Sequence, residues 1–192
     1  MLFNGETYEI KFWQDESLGR VLAIDTETSV VPFTETPELI TFQVFDGESL
    51  FYVRREHVQK FLDNHSHTSF IFANASFDID VLEKCTTWRC NTQLEKDLIY
   101  DILIMYRLHC LATNGYVPRR FSLAEVTKKL FDISLPKEEE IRSNFTQFKD
   151  KKIEEIPRLF LEYGARDVLA TFFAYMRLRS VSYTHLTLPT KA

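Results

Sequence analysis

Val21-Leu22-Ala23-Ile24-Asp25-Thr26-Glu27-Thr28 is the stretch that decides how this chain is read. Its first four residues are apolar and partly β-branched, which predicts a buried strand. The strand runs straight into two carboxylates at positions i and i+2. Side chains two apart on a strand share a face, about 7 Å apart at the backbone. Asp25 and Glu27 can therefore converge on one metal ion or bridge a pair. They stand at the end of a buried strand, where open sheets usually carry their sites. A D-x-E triplet turns up about once by chance in a chain of this composition, so the inference needs further motifs.

Working outward, Leu39 to Phe45 alternates apolar with polar residues, Asp46-Gly47 is a turn signal, and Leu50 to Val53 is again apolar. The three segments predict an antiparallel meander. Glu56 to Leu62 predicts a helix and Ser69 to Ala73 another buried strand. Ser76 to Lys84 follows as a helix, with Phe77, Val81 and Leu82 at helical spacing. Ile99 to Leu111 opens as a short strand or helix start, with Asp101 as an N-cap. Ser122 and Glu125 form a capping box for a helix ending at Phe131. Lys137 to Lys152 is highly charged and predicts a solvated helix plus loop. Pro157 suits the first turn of a last helix reaching Arg179, with an apolar stripe of Leu161, Ala165, Val168, Phe172 and Met176.

Two of these helices carry further chemistry. In Asn74-Ala75-Ser76-Phe77-Asp78, Asp78 projects from the first helical turn after a buried strand. Asn74 either bonds a sugar or phosphate or merely caps the helix. Asp80 is a rival, but helical spacing turns it away from Asp78 by about half a turn. In Tyr163-Gly164-Ala165-Arg166-Asp167, positions i and i+4 share a face, so the Tyr163 hydroxyl and the Asp167 carboxylate reach one site. The pair lies off the apolar stripe, free to line a cleft. Four carboxylates suit two hard divalent cations, Mg2+ or Mn2+, which prefer oxygen ligands. Two such ions activate a water and stabilise a departing oxygen in phosphodiester cleavage. All three motifs in order arise by chance about once in a hundred such chains or less.

Length and composition accommodate this. The 192 residues suit one domain with a sizeable core. A hydrophobic fraction of 45% and a charged fraction of 27% are ordinary for a globular protein, and the scarcity of Gly and Pro argues against disorder. No stretch approaches the roughly 20 apolar residues that span a bilayer, so no membrane is expected. The N-terminus is no signal peptide, and Cys85, Cys90 and Cys110 read as reduced thiols of a cytoplasmic protein. A zinc site from Cys85, Cys90, His109 and Cys110 lacks the usual ligand spacing. A net charge of −5 does not suggest a general nucleic-acid binder, which is usually basic, and is compatible with an enzyme whose acidic site is loaded with metal. Arg107, Arg119, Arg120, Lys128 and Lys129, with Tyr116 and Phe121, are candidates to track a single strand. A single domain is expected over residues 1–180. Residues 181–192 lack acids and read as a non-native or disordered tail, with the natural chain continuing beyond it.

The three motifs resemble the DEDD superfamily of 3′-5′ exonucleases, in its tyrosine-bearing branch. The matching residues are Asp25 and Glu27, Asp78, and Tyr163 with Asp167, over about residues 18–178. The resemblance implies an α/β ribonuclease H-like fold, a mixed five-stranded sheet flanked by helices. It implies two-metal hydrolysis at a 3′ end, with Asp25, Glu27, Asp78 and Asp167 as ligands and Tyr163 positioning the water. Within that branch, the Asp-Thr-Glu-Thr run and Asn74 are most similar to the proofreading domains of family A DNA polymerases. This implies that Thr26 and Asn74 contact the terminal nucleotide. The expected partner is a single-stranded DNA 3′ end, with a polymerase domain in the same full-length chain. Ribonuclease D-like enzymes share the pattern, which makes RNA 3′-end processing the alternative. A catalytically inactive exonuclease fold that binds nucleic acid or protein is the alternative of another class.

Overall fold

The apolar run at Val21 forms the centre of a mixed sheet. The structure is a computed structural model that describes residues 2–30, 34–135, 141 and 143–186. In chain order its strands are β1 (Leu2–Phe3), β2 (Glu6–Thr7), β3 (Ile10–Phe12), β4 (Val21–Thr28), β5 (Leu39–Phe45), β6 (Leu50–Val53), β7 (Ser69–Phe72) and β8 (Ile99–Asp101). The helices are α1 (Val58–Asn64), α2 (Ala75–Cys85), α3 (Asn91–Glu95), α4 (Ile102–Asn114), α5 (Leu123–Phe131) and α6 (Arg158–Leu186). β1 and β2 form a separate hairpin, and the main sheet runs β3-β6-β5-β4-β7-β8.

The antiparallel meander β4-β5-β6 is present, and β7 and β8 add to it in parallel. The sheet has six strands rather than five, because Ile10–Phe12 pairs in parallel with β6 at the edge. Glu9 and Lys11 hide this strand in the sequence, since an edge strand keeps one side in water. At the β5–β6 turn the Asp46 carboxylate accepts from the Glu48 and Ser49 amides at 3.0 and 2.8 Å. Gly47 turns there with φ of 101°, and a side chain would meet the Phe172 ring at 2.9 Å.

Alternation along the strands gives each face its own core. Leu22, Ile24, Phe42 and Val44 pack with Val58, Phe61 and Leu62 of α1 and with Val81 and Leu82 of α2. Ala23, Phe45, Leu50 and Tyr52 point the other way, onto Leu161, Ala165, Val168 and Leu169 of α6. A third cluster joins α4, α5 and α6 through Tyr106, Cys110, Val126, Tyr175 and Leu178. The expected stripe of α6 holds through Phe172, but Met176 is 47% exposed and the buried side there is Ala174, Tyr175 and Leu178.

The capping box Ser122–Glu125 is formed, and Asp101 ends β8 and caps α4. The charged segment after Lys137 is less solvated than its composition predicts. Phe145 and Phe148 form a short 3-10 turn and are buried against α6. Residues 136–140 and 142 lie outside the described ones. α6 runs to Leu186, past the boundary expected at 181, and residues 187–192 lie outside the described ones. No helix among the described residues is long and apolar enough to cross a membrane.

Candidate carboxylate centre

Period two places Asp25 and Glu27 on the α6 face of β4, in line with Ala23. One oxygen each from Asp25, Glu27 and Asp167 lie within 4.8 Å of one another. Glu27 is buried, and Asp25 and Asp167 are half-buried. Between Glu27 and Thr28 the pairing with β5 shifts register, so that Thr28 faces Leu39. Irregularities of this kind re-aim side chains beside sites. Asp167 reaches the cluster because α6 crosses this face, and Tyr163 stands one helical turn earlier. Tyr163 is half-buried, its ring 6.1 Å from that of Phe145.

Asp78 arrives from the other side of β4. β7 pairs with β4 through Val21 to Ala23. Beyond that point, the Thr26 amide donates to Asp78 Oδ1 at 3.0 Å and the Thr26 hydroxyl to the same oxygen at 2.7 Å. Asp78 is 3% exposed, whereas Asp80 is exposed, so the helical-spacing argument between the two holds. Thr26 was expected to touch a nucleotide. Here its hydroxyl and amide both hold Asp78.

Asn74 begins α2 in the left-handed region, φ 78°, and its side chain makes no capping bond. The capping role is filled by Asp101, whose carboxylate accepts from the Asn74 and Ala75 amides at 3.3 and 2.9 Å. The same carboxylate accepts from Leu103 N at 2.8 Å. Asp101 thus joins the starts of α2 and α4, and the Asn74 side chain is left exposed.

Crowding sets the electrostatics. Burial, then the charges of Glu27, Asp78 and Asp167, push the Asp25 carboxyl well above the usual carboxylate range. A hydrogen bond from Gln43 opposes this, its Nε2 donating to Asp25 Oδ2 at 2.5 Å. Burial likewise pushes Asp78 up to about 7, against the two bonds from Thr26. Asp25 senses both the Glu27–Asp167 pair and Asp78, which makes it the central member. An all-oxygen donor set with this much repulsion fits hard divalent cations, which would relieve it.

Several of the basic and aromatic residues gather beside α4 and α5. α4 leaves from Asp101 and carries the chain about 20 Å away. Along this helix, Tyr116, Arg120 and Lys129 line a cavity of about 300 Å3 with Tyr106, Cys110 and Glu125. The Arg107 guanidinium covers the Phe121 ring at 4.6 Å, and Lys128 pairs with Asp132 at 2.6 Å. Gln43 is the contributor that sequence reading missed. It sits at a polar position of an alternating strand, and only the register places it beside Asp25.

A family model described as 3′-5′ exonuclease matches residues 8–181. The comparison with curated proteins finds no match. Among solved structures, the EXO domain of Nibbler from Aedes aegypti is 15% identical, with 88% of this chain and 82% of that one covered at a TM-score of 0.66. RNase D from Escherichia coli, an exoribonuclease involved in structured RNA processing, is 18% identical over 89% of this chain at a TM-score of 0.64. Trypanosoma brucei RNase D in complex with RNA is 15% identical over 83% of this chain at a TM-score of 0.59. The chain spans 42% and 55% of those two RNase D chains. At these identities the likeness is one of fold, the ribonuclease H-like exonuclease fold. The family match covers most of the sequence, and the chain belongs to the 3′-5′ exonuclease family.

Proposed function

We propose that this 3′-5′ exonuclease domain holds two divalent cations, Mg2+ or Mn2+, on Asp25, Glu27, Asp78 and Asp167, and removes nucleotides one at a time from a DNA 3′ end. The observation that supports it is the convergence of Asp25, Glu27 and Asp167 within 4.8 Å, with Asp78 acting on Asp25 from the other side of β4. Bound there, the cations would supply a nucleophilic water and a Lewis acid for the departing oxygen. Asp25, which feels the other three carboxylates, would hold the cations together with Glu27, Asp167 and Asp78.

Tyr163, one turn before Asp167, orients the attacking water by a hydrogen bond, as in the tyrosine-bearing branch. A phenol ordinarily titrates near about 10, so orientation rather than proton abstraction is its task. Asn74 contacts the terminal nucleotide, and Thr26 serves by holding Asp78. Residues 1–180 form the domain, in keeping with the family match over 8–181, and 181–192 fall outside it. Proofreading beside a family A polymerase, in the cytoplasm, is the setting we assign.

A free-standing RNA 3′-processing enzyme is the second reading, favoured by the fold likeness to RNase D. The test uses 5′-labelled DNA and RNA strands of one sequence, with Mg2+ or Mn2+, and the wild type beside Asp25→Ala. Faster shortening of DNA, lost in Asp25→Ala, is expected. Faster shortening of RNA transfers the same site to the second reading. No shortening of either strand overturns both.

A further inference from the structure

Gln43 lies at the middle of the sheet and is fully buried. A buried amide is costly unless its donors and acceptor are used. Its register partner in β4 is Asp25, and its partner in β6 is Tyr52. Nε2 donates to Asp25 Oδ2 at 2.5 Å, and Oε1 accepts from the Thr41 hydroxyl at 3.0 Å. Thr41 is itself the register partner of Glu27.

α6 closes the remaining side at Gly164. A Cβ at that position would stand 2.5 Å from Gln43 Nε2, 2.9 Å from its Cδ and 3.1 Å from the Tyr52 hydroxyl. The Tyr52 hydroxyl donates to the Leu161 carbonyl at 2.5 Å, fastening the same stretch of helix to β6. Gln43 is therefore gripped at both ends of its amide and covered by helix backbone.

We propose that Gln43 is a positioning residue for the metal-ligating carboxylate Asp25, and that Gly164 is present so that α6 can close over it. The proposal rests on the reading of Asp25 as a metal ligand. A carboxylate free at both oxygens rotates about its last torsion and is repelled by Glu27, Asp78 and Asp167. A donor fixed on Oδ2 sets the carboxylate plane and leaves Oδ1 and one lone pair of Oδ2 for cations. Partners of this kind around metal ligands typically set affinity or activity by about 10–100-fold.

The test is Mn2+ binding to the protein without nucleic acid, by calorimetry and by electron paramagnetic resonance of free Mn2+. The wild type is compared with Gln43→Leu, with Gln43→Asn and with Gly164→Ala. Gln43→Asn keeps a buried amide about 1.5 Å too short to reach Asp25, one carbon–carbon bond having that length. Both Gln43 variants are expected to weaken Mn2+ binding by about 10–100-fold. Gly164→Ala is expected to act in the same direction but less. At saturating Mn2+, kcat on a labelled strand falls while KM for the strand stays unchanged. Cooperative melting identifies the folded variants, and if Gln43→Leu fails to fold, Gln43→Asn and Gly164→Ala decide. Wild-type Mn2+ affinity in the folded variants overturns the role of Gln43 and leaves the nuclease reading standing. A wild type that binds no Mn2+ overturns the ligand reading of Asp25, and the role of Gln43 with it.

Discussion

The two sides of β4 hold their carboxylates in opposite ways. Facing α6, Asp25, Glu27 and Asp167 crowd within 4.8 Å, and Asp25 is pushed strongly toward its neutral form. On the side of α2, Asp78 is clasped by both the amide and the hydroxyl of Thr26. The first group is a repulsive cluster whose natural complement is positive charge. The second is already in place before any cation arrives. On the proposed reading, one rigid anchor beside one strained group would serve cation uptake and product release. Strain of this kind is retained at functional sites at the expense of stability.

The largest effect expected from breaking the contrast is on the crowded side. Asp25→Asn removes the charge that three neighbours oppose and should abolish 3′-5′ shortening of a labelled strand. A loss of about 10³-fold or more corresponds to the several kcal/mol that metal-held charge stabilisation contributes. The same substitution should raise the Tm of the metal-free protein, because it relieves repulsion. Lost activity with a lowered metal-free Tm would contradict the strained-cluster account.

The clasped side should respond more mildly. Thr26→Val keeps the amide donor to Asp78 and removes the hydroxyl. We expect an activity loss of about 10-fold, the lower end for a group that orients a ligand. Steady-state kinetics at several Mn2+ concentrations measure it. A loss as large as that of Asp25→Asn would erase the distinction between the two sides.

Titration separates them further. Burial holds Asp78 at about 7, far above its ordinary value. Between the two values the folded metal-free protein binds more protons than the unfolded chain, so stability falls as pH rises through that window. Thermal melting should give a higher Tm near about pH 5 than near about pH 8, and added Mn2+ should raise Tm more at the higher pH. His65, lowered by burial, opposes this below its ordinary value, but two carboxyls outweigh one imidazole. Asp78→Asn should flatten the slope in part and leave the share of Asp25. An unchanged slope would place the titration elsewhere.

The smallest effect is expected at the cavity beside α4. Arg120→Ala combined with Lys129→Ala should leave kcat and KM on a short strand unchanged. These residues line a cavity along α4 with Tyr106, Cys110 and Asn114, and none of the four carboxylates lines it. A raised KM would bring this cavity into substrate binding.

Much of the centre was legible in the sequence. Asp25 and Glu27 were readable because strand side chains alternate. Asp78 was separable from Asp80, and Tyr163 could be joined to Asp167, because helix geometry is local and regular. Asp101 was legible as a cap, but its second task at the start of α2 was not. Gln43, Phe145 and the edge strand Ile10–Phe12 escaped notice. Each looks polar or sits among charges along the chain, and each is placed by a partner distant in sequence.

By itself, the sequence determined the candidate residues and which element each sits on, since periods of 2 and 3.6 residues are properties of the local backbone. Tertiary structure alone decided how they meet. Pairing register set Gln43 opposite Asp25, the end of β7 left the Thr26 amide to Asp78, and Gly164 let α6 bring Asp167 over the sheet. These are long-range contacts, fixed when whole elements pack, and no local pattern encodes them.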